Sequence, residues 1–220
     1  MEAHADVTVP VPRGKRVAVH LAAGDASVTN VDGDVRVDVA AANITTSATR
    51  GRLSLDTGSG EVRVTDHADG EVDLDTGSGD VTLTRVAGKR LTVDAGSGTL
   101  RGSDITADVV SLDLGSGGAT LANVHSSDIT LDSGSGDVDL GLAADVRSLV
   151  VDSGSGDVTI RVPASLGATL DVDAGSGGVS SEIPLTITHK DGSELSGTIG
   201  DGNGRIKIDS GSGRVRLRKA

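Results

Sequence analysis

The residues that most resemble a reaction centre are aspartates placed directly before glycine-rich turns. Asp56-Thr57-Gly58-Ser59 and Asp75-Thr76-Gly77-Ser78 each follow a hydrophobic pair, the local signature of an aspartic protease. Such an enzyme needs two carboxylates that share one proton. Here the aspartate recurs in further turns, at Asp38, Asp94, Asp113, Asp132, Asp152, Asp173 and Asp209. This repetition predicts a structural role, in which each carboxylate accepts hydrogen bonds from the amides of the glycine turn that follows it.

A second acidic position, after the same turns, raises calcium binding as an alternative. Acids stand there in four copies of the turn, at Glu61, Asp80, Asp137 and Asp157. Other copies have Asn43, Thr99, Gly118, Gly178 and Arg214 instead. A calcium site needs about six to eight oxygen ligands, and a calcium β-roll has two glycine-rich turns per coil, whereas this pattern has one. We therefore predict no metal site and keep a calcium-stabilised β-roll-like module as an alternative.

The remaining candidates for chemistry favour packing over catalysis. The histidines share no metal-ligand spacing, at His4, His20, His67, His125 and His189. His67 falls in the same column of the repeat as Val86, Ile105 and Val124, which indicates a packing position. A polysaccharide lyase or hydrolase would need a distinct carboxylate pair, and the basic residues Arg63, Arg101 and Arg161 form no ladder with one. We predict no enzyme and no cofactor, with a carbohydrate-active β-helix enzyme as the alternative.

A single repeat must position all of these residues. The tripeptide Gly-Ser-Gly begins at Gly58, Gly77, Gly96, Gly115, Gly134, Gly154, Gly175 and Gly211, with a spacing of 19 between the first five copies and of 20, 21 and 36 after them. Degenerate copies at 40–44 and 24–28 keep the same frame, so ten turns are visible. Such a fixed period is typical of a repeat protein.

Each copy contains two short apolar segments with the period-two alternation of strands that have one buried face. One column of apolar residues stands five positions before each turn: Val19, Val35, Leu53, Val72, Leu91, Val110, Ile129, Leu149, Leu170 and Ile206. Similar columns stand three positions before and four positions after the turn. A unit of this size buries its apolar face only by stacking on its neighbours. The sequence predicts an all-β, single-domain parallel β-solenoid (β-helix) of about ten coils of about 19 residues, with two short strands per coil.

The regular pattern divides the predicted domain, residues 1–220, into three parts. Regular coils run over 5–182, and an irregular insertion follows over 183–204, where alternation at Ile183, Leu185 and Ile187 and the turn residues Asp191 and Gly192 predict a hairpin or a bulging coil. We expect it to cap the core. Residues 205–220 form a basic terminal coil, which we place at the end of the rod, where its charge would block stacking of further strands.

Charge is distributed unevenly along the chain. Residues 104–201 carry 3 Lys/Arg and 16 Asp/Glu, a net charge of −13, whereas 205–220 carry 6 and 1, a net charge of +5. The acidic body argues against nucleic acid as a partner. The chain has no Cys, Trp, Tyr or Phe, so aromatic stacking on bases and thiolate chemistry are excluded. The basic coil is the expected point of self-association or of contact with a polyanion.

The repeats and the end of the chain together resemble a known family. The segments LDTGSGDVTL, LTVDAGSGTL and VVDSGSGDVTI, closed by GTIGDGNGRIKIDSGSGRVRLRK, are similar to bacterial and archaeal β-strand-repeat proteins that carry the label adhesin and have no determined function. The resemblance covers nearly the whole chain and is most specific in the Gly-x-Ile-Gly-x-Gly segment before the last turn. It implies a repetitive β-solenoid and an adhesin-like role.

Together these observations predict a non-enzymatic structural or adhesin-like scaffold that mediates binding or self-association. The first residues, MEAHADVTVP, lack the apolar core of a signal peptide, and no stretch approaches the length of a membrane-spanning helix. We therefore expect no membrane insertion and a cytoplasmic location, with the cell envelope as the alternative if an export signal has been removed.

Overall fold

The computed structural model describes residues 6–220 and consists of β-strands joined by turns and loops. Residues 1–5, which include His4 and the predicted start of the coils at residue 5, lie outside the described part. The first strand begins only at Val17. The strands are β1 (Val17–Ala23), β2 (Ala26–Thr29), β3 (Val35–Ala41), β4 (Ile44–Arg50), β5 (Leu53–Ser59), β6 (Val62–Ala68), β7 (Glu71–Thr76), β8 (Val81–Ala95), β9 (Leu100–Leu114), β10 (Ala119–Ser133), β11 (Val138–Leu142), β12 (Ser148–Ser153), β13 (Val158–Val162), β14 (Ala168–Asp173), β15 (Gly178–Ser181), β16 (Thr186–Asp191), β17 (Glu194–Ile199), β18 (Gly204–Ser210) and β19 (Arg214–Lys219).

The strands stack in register into two parallel ladders, one on each side of the glycine turns. The first ladder runs β1, β3, β5, β7, the C-terminal parts of β8 to β10, β12, β18 and β14. The second runs β2, β4, β6, the N-terminal parts of β8 to β10, β11, β13, β19 and β15. Val81 pairs with Leu100 and Leu100 with Ala119, so one coil takes 19 residues here. The predicted parallel β-solenoid is confirmed.

The core is a thin stack of aliphatic side chains between the two ladders. Its columns lie where the alternation predicted, and Leu53, Leu91, Leu149 and Ile206 are at most 1% exposed. Because the coils place aliphatic residues at equivalent positions, core side chains of neighbouring coils pack on one another. Full burial of one such residue contributes about 1.5 to 3 kcal/mol.

Three coils depart from the prediction of two short strands. β8, β9 and β10 each run unbroken for 15 residues. Each bends at one left-handed residue, Arg85 (φ 52°), Asp104 (φ 56°) or Asn123 (φ 58°). Asp and Asn tolerate this conformation better than most residues, because their short polar side chains bond locally. The bend creates a third inward column, in which Val86, Ile105 and Val124 are buried, as is His67 on the coil before.

At glycines such as Gly77 and Gly96, the stacked turns leave no room for a side chain. A Cβ added at Gly77 would lie 2.6 Å from the carbonyl oxygen of Gly58, and one at Gly96 would lie 2.5 Å from that of Gly77. Both distances are far below van der Waals contact. Neither of these glycines has a positive φ, so close approach of the backbone, rather than an unusual dihedral, explains the glycine column.

The C-terminal coil, β18 and β19 (residues 204–219), does not lie at the end of the rod. β18 pairs in parallel with β12 on one side and β14 on the other, and β19 lies in the same way between β13 and β15. The prediction of a basic terminal rung is therefore wrong. The chain leaves β13, skips one level of the stack, builds β14 and β15, and returns to fill the level that it left open.

The insertion predicted over 183–204 contains a hairpin that caps the core. β16 and β17 pair antiparallel, and β17 pairs antiparallel with β14. Leu195 and Ile199 on β17 are buried, while Ile187 on the edge strand β16 is 52% exposed. We refer to β14–β17, residues 168–199, as the cap.

Candidate functional site

One face of the rod carries an uninterrupted row of aspartates just before the glycine turns. Register pairing places them side by side in the order Asp38, Asp56, Asp75, Asp94, Asp113, Asp132, Asp152, Asp209 and Asp173. All of them are exposed or half-buried. At the strand spacing of about 4.8 Å, this carboxylate row is about 38 Å long. It contains both copies of the protease-like motif, whose aspartates are equivalent members of one column.

The carboxylate row does not bind the turn amides as the sequence predicted. Gly96 donates its amide hydrogen bond to the carbonyl of Thr76 (2.9 Å), and Gly115 donates to that of Ala95 (3.0 Å), one coil back in each case. Only Asp173 among the row accepts from a turn amide, that of Gly175 at 2.9 Å. Because stacked turns satisfy one another, the aspartate side chains are not needed as acceptors and point to solvent instead.

Several acids elsewhere on the rod have basic partners on neighbouring coils. Arg85 forms a bidentate pair with Asp66, at 2.5 and 3.0 Å, and Arg101 lies 3.0 Å from Asp80. In the carboxylate row, Asp38 lies 3.4 Å from His20 and Asp209 pairs with Lys207. The six members between them in the stack form no ion pair with any of residues 6–220: Asp56, Asp75, Asp94, Asp113, Asp132 and Asp152.

Mutual repulsion adds to the electrostatic cost of this arrangement. Partial burial, followed by the negative charges of Asp56, Asp94 and Asp73, raises the pKa of Asp75 above its ordinary value. The pKa of Asp152 is also raised, by partial burial first and then by Asp209 and Asp132. A positive charge placed near Asp75 or Asp152 would lower this electrostatic cost.

The surroundings of the row are polar. The outward column two residues before it consists largely of hydroxyl side chains in its middle part, Ser54, Thr92, Ser111 and Thr130. Towards the cap, the row borders a groove of about 440 Å³ lined by Asp132, Asp152, Asp173, Asp209 and glycine-turn residues. The arrangement can bind cationic groups by charge and by hydrogen bonds to carboxylate and hydroxyl oxygens.

The acids after the turn hold adjacent coils together. Asp80 accepts a hydrogen bond from the amide of Thr99 (2.8 Å), Asp137 from that of Asp157 (2.9 Å), and Asp157 from that of Arg214 (2.8 Å). These bonds hold the pKa values of Asp80 and Asp157 below the ordinary value. Between residues 6 and 220, no group of three or more His, Asp or Glu side chains is placed to hold a metal ion.

His67 is an interior residue, as its column predicted. It is 2% exposed, its Nδ1 lies 3.0 Å from the Oγ1 of Thr49, and its Nε2 has no hydrogen-bond partner. Burial lowers its pKa. The imidazole belongs to the packed core.

The basic side chains of the C-terminal coil contact acids within the same molecule. Arg216 lies 2.9 Å from Asp157, and Arg218 lies 3.6 Å from Glu182. A polyanion, whose binding here stays a prediction, would have to compete with these pairs. The sequence predicted self-association or a polyanion contact at this coil, and the structure shows that its charges also pair with acids of the same chain.

Comparison with known proteins gives one match. The model of a family described as Toastrack DUF4097 matches residues 3–218, nearly the whole chain. Neither curated proteins nor solved structures give a match. The described chain offers no helical segment with the length and apolar character needed to traverse a lipid bilayer.

Proposed function

The chain belongs to the Toastrack DUF4097 family, and from that premise we propose that it is a non-enzymatic scaffold that binds a positively charged partner along the carboxylate row. The observation that carries this proposal is the run of six aspartates with no ion pair to any described residue. Elsewhere on the rod, arginines pair with several acids, among them Asp66, Asp80 and Asp128. An adhesin-like role, in the sense of repetitive binding by a rigid rod, fits this face.

The expected partner is an extended polycation, such as a lysine-rich peptide. Carboxylates about 4.8 Å apart present more than one acid to each cationic side chain, and repulsion within the row falls when a cation binds. Exposed charges are screened by salt, with a Debye length of about 8 Å at physiological ionic strength. Binding should therefore weaken steeply as salt is raised.

Neutralising three central aspartates tests the proposal. We expect the triple variant Asp75→Asn, Asp94→Asn, Asp113→Asn to bind a decalysine peptide about tenfold more weakly at low salt, measured by calorimetry. The substitutions relieve repulsion, so the variant should remain folded by circular dichroism. The matched control, Asp6→Asn, Asp32→Asn, Asp108→Asn, changes the net charge equally at exposed acids outside the row and should retain most of the affinity.

Equal affinity of the two triple variants would show that net charge alone attracts the peptide, and the proposal would then fail. Absence of binding by the parent protein at low salt would refute it directly.

A further inference from the structure

The C-terminal coil occupies a slot between two coils that both precede it in the chain. One wall is the coil of β12 and β13, and the other is the coil of β14 and β15. Both walls consist of residues that come before residue 204 in the sequence. The slot is therefore a recognition site for a strand, a Gly-Ser-Gly turn and a second strand.

The fit between coil and slot is complete on both sides. β18 is in register with β12 from Ser148 to Ser153 and with β14 from Ala168 to Asp173. Ile206, Ile208 and Val215 are fully buried between the walls. The turn of the coil also packs tightly between the turns of the two walls. A Cβ at Gly211 would overlap with the carbonyl oxygen of Gly154, and one at Gly175 would overlap with that of Gly211.

Charge adds selectivity to this fit. Asp157 on one wall accepts hydrogen bonds from the amide of Arg214 (2.8 Å) and the guanidinium of Arg216 (2.9 Å). Arg218 lies 3.6 Å from Glu182, which follows the other wall. The coil carries a net charge of +5 and lies between two coils of the most acidic region of the chain, residues 104–201 with a net charge of −13.

The coil is joined to the cap by a short reversal, residues 200–203. Gly200 (φ 54°) and Gly202 (φ 73°) lie in the left-handed region there, and the amide of Gly202 donates to the carbonyl of Ile199 (3.1 Å). If this reversal straightens, the coil can leave its own slot and enter the identical slot of another molecule. Every contact within the slot would then be recreated between two chains.

We propose that two copies of this protein exchange their C-terminal coils and so form a domain-swapped dimer. The swapped and closed forms differ mainly in the reversal and in the entropy of association, so protein concentration sets the balance between them. This association goes beyond the proposed binding of a polycation and does not use the carboxylate row.

Engineered cysteines distinguish the two forms, since the chain has no cysteine of its own. Ser148 and Arg205 are register partners across the wall of the slot. In the closed monomer, Ser148→Cys and Arg205→Cys face each other within one chain, whereas in the swapped dimer they face each other between two chains. Glu71→Cys and Arg90→Cys, partners in the same column on consecutive coils, give the matched control.

The full-length variants are incubated over a range of concentrations in mild denaturant, returned to buffer and joined with a short bis-maleimide. We expect a crosslinked dimer on a denaturing gel for the slot pair, in a fraction that rises with concentration, and crosslinked monomer alone for the control pair. Dimers that associate through intact rods would give monomer with both pairs. Adding Gly200→Val and Gly202→Val should raise the dimer fraction, because valine disfavours positive φ.

Crosslinked monomer alone from the slot pair, at every concentration and also with the two valines, would overturn the proposal. We expect the triple Asn variant of the carboxylate row to give the same dimer fraction as the parent. That result would support coil exchange even if the protein does not bind a polycation.

Discussion

Two aspartates on one coil have opposite electrostatic environments. Asp157 accepts from the amide of Arg214 and from Arg216, which lowers its pKa. Asp152, in the carboxylate row, has its pKa raised by partial burial and by like charges. One carboxylate therefore stabilises the fold at neutral pH, and the other opposes it.

We expect Asp157→Asn to lower the free energy of unfolding by about 1 kcal/mol at pH 7, because a charge-assisted bond to the next coil is lost. Asp152→Asn should raise it by about 0.5 to 1 kcal/mol, the scale of repulsion between neighbouring carboxylates in water.

The stabilisation by Asp157 is present above the ordinary pKa of 3.8 and is lost as the pH falls through its lower folded-state pKa. The penalty from Asp152 disappears as the pH falls through its raised pKa. Urea melts from pH 7 to pH 3 check both signs, and changes of the same sign at pH 7 would contradict the assignment.

His67 should make stability depend on pH in a different window. Its folded-state pKa lies below the ordinary 6.5 because burial disfavours the imidazolium. The parent should therefore lose stability as the pH falls below about 6.5, by at most about 1.4 kcal/mol per pH unit. We expect His67→Val, which matches the next residue in the column, to remove this loss between pH 7 and pH 5 in thermal melts. The exposed His125→Gln serves as the control, and an unchanged pH dependence in His67→Val would refute the role of burial.

For single residues, the sequence predicted which side chains are buried better than it predicted their hydrogen-bond partners. The alternation of apolar and polar residues correctly placed Leu53 and Ile206 inside and the aspartates outside. A period of two residues shows on which face of the sheet a side chain lies, but not what it contacts. It could not tell that the turn amides bond to the preceding coil, because that depends on how closely two turns stack. The same stacking leaves the carboxylate row without its predicted acceptor role.

Among the elements, the stacked glycine turn is the most sensitive to substitution. A Cβ at Gly98 would lie 2.5 Å from the carbonyl carbon of Gly79 and closer still to its oxygen, and both atoms are backbone. We expect Gly98→Ala to destabilise the fold by about 2 to 3 kcal/mol, the cost of forcing two packed coils apart. Gly192→Ala, in the hairpin turn, meets nothing within 4 Å and should change stability by less than about 0.5 kcal/mol. Equal denaturant midpoints for the two variants would show that the turns do not stack as described.

The type of element was predictable, but its length was not. The Gly-Ser-Gly spacing fixed the coil, and the alternation fixed two strands in it. A left-handed bend occurs at Arg85 in the long strand β8 but also at Asp66 in β6, which ends at Ala68, so the bend alone does not set the length of a strand. The column of Asp66, Asp104 and Asn123 is a weak signal, visible only once the coils are aligned.

For the whole molecule, the order of the coils could not be read from the repeat. Every coil presents the same apolar columns and the same turn, so a coil fits equally well at the end of the stack or inside it. The gap of 36 residues between the last two turns indicates an insertion without placing it. Charge was the available signal, since a coil of +5 is stabilised between acidic neighbours more than at an exposed end.

The stability of the cap depends on the C-terminal coil. The strands of the cap pair with one another and, beyond that, only with β18 and β19 within the described chain. In a stack held by nearest-neighbour contacts, weakening one level uncouples everything beyond it. Ile208 is fully buried at this level, and its truncation to alanine should cost about 2 to 5 kcal/mol.

We therefore expect Ile208→Ala to speed amide hydrogen exchange throughout 168–219 by at least about thirtyfold, as the local opening energy falls. The coils over 53–114 should keep their protection, because their contacts do not pass through the C-terminal coil. Ile187→Ala, on the exposed edge strand β16, should leave exchange in both regions nearly unchanged. An equal loss of protection along the whole rod in Ile208→Ala would mean that the solenoid opens as one unit. Protection lost in 204–219 alone would mean that the cap is held by something other than the coil beneath it.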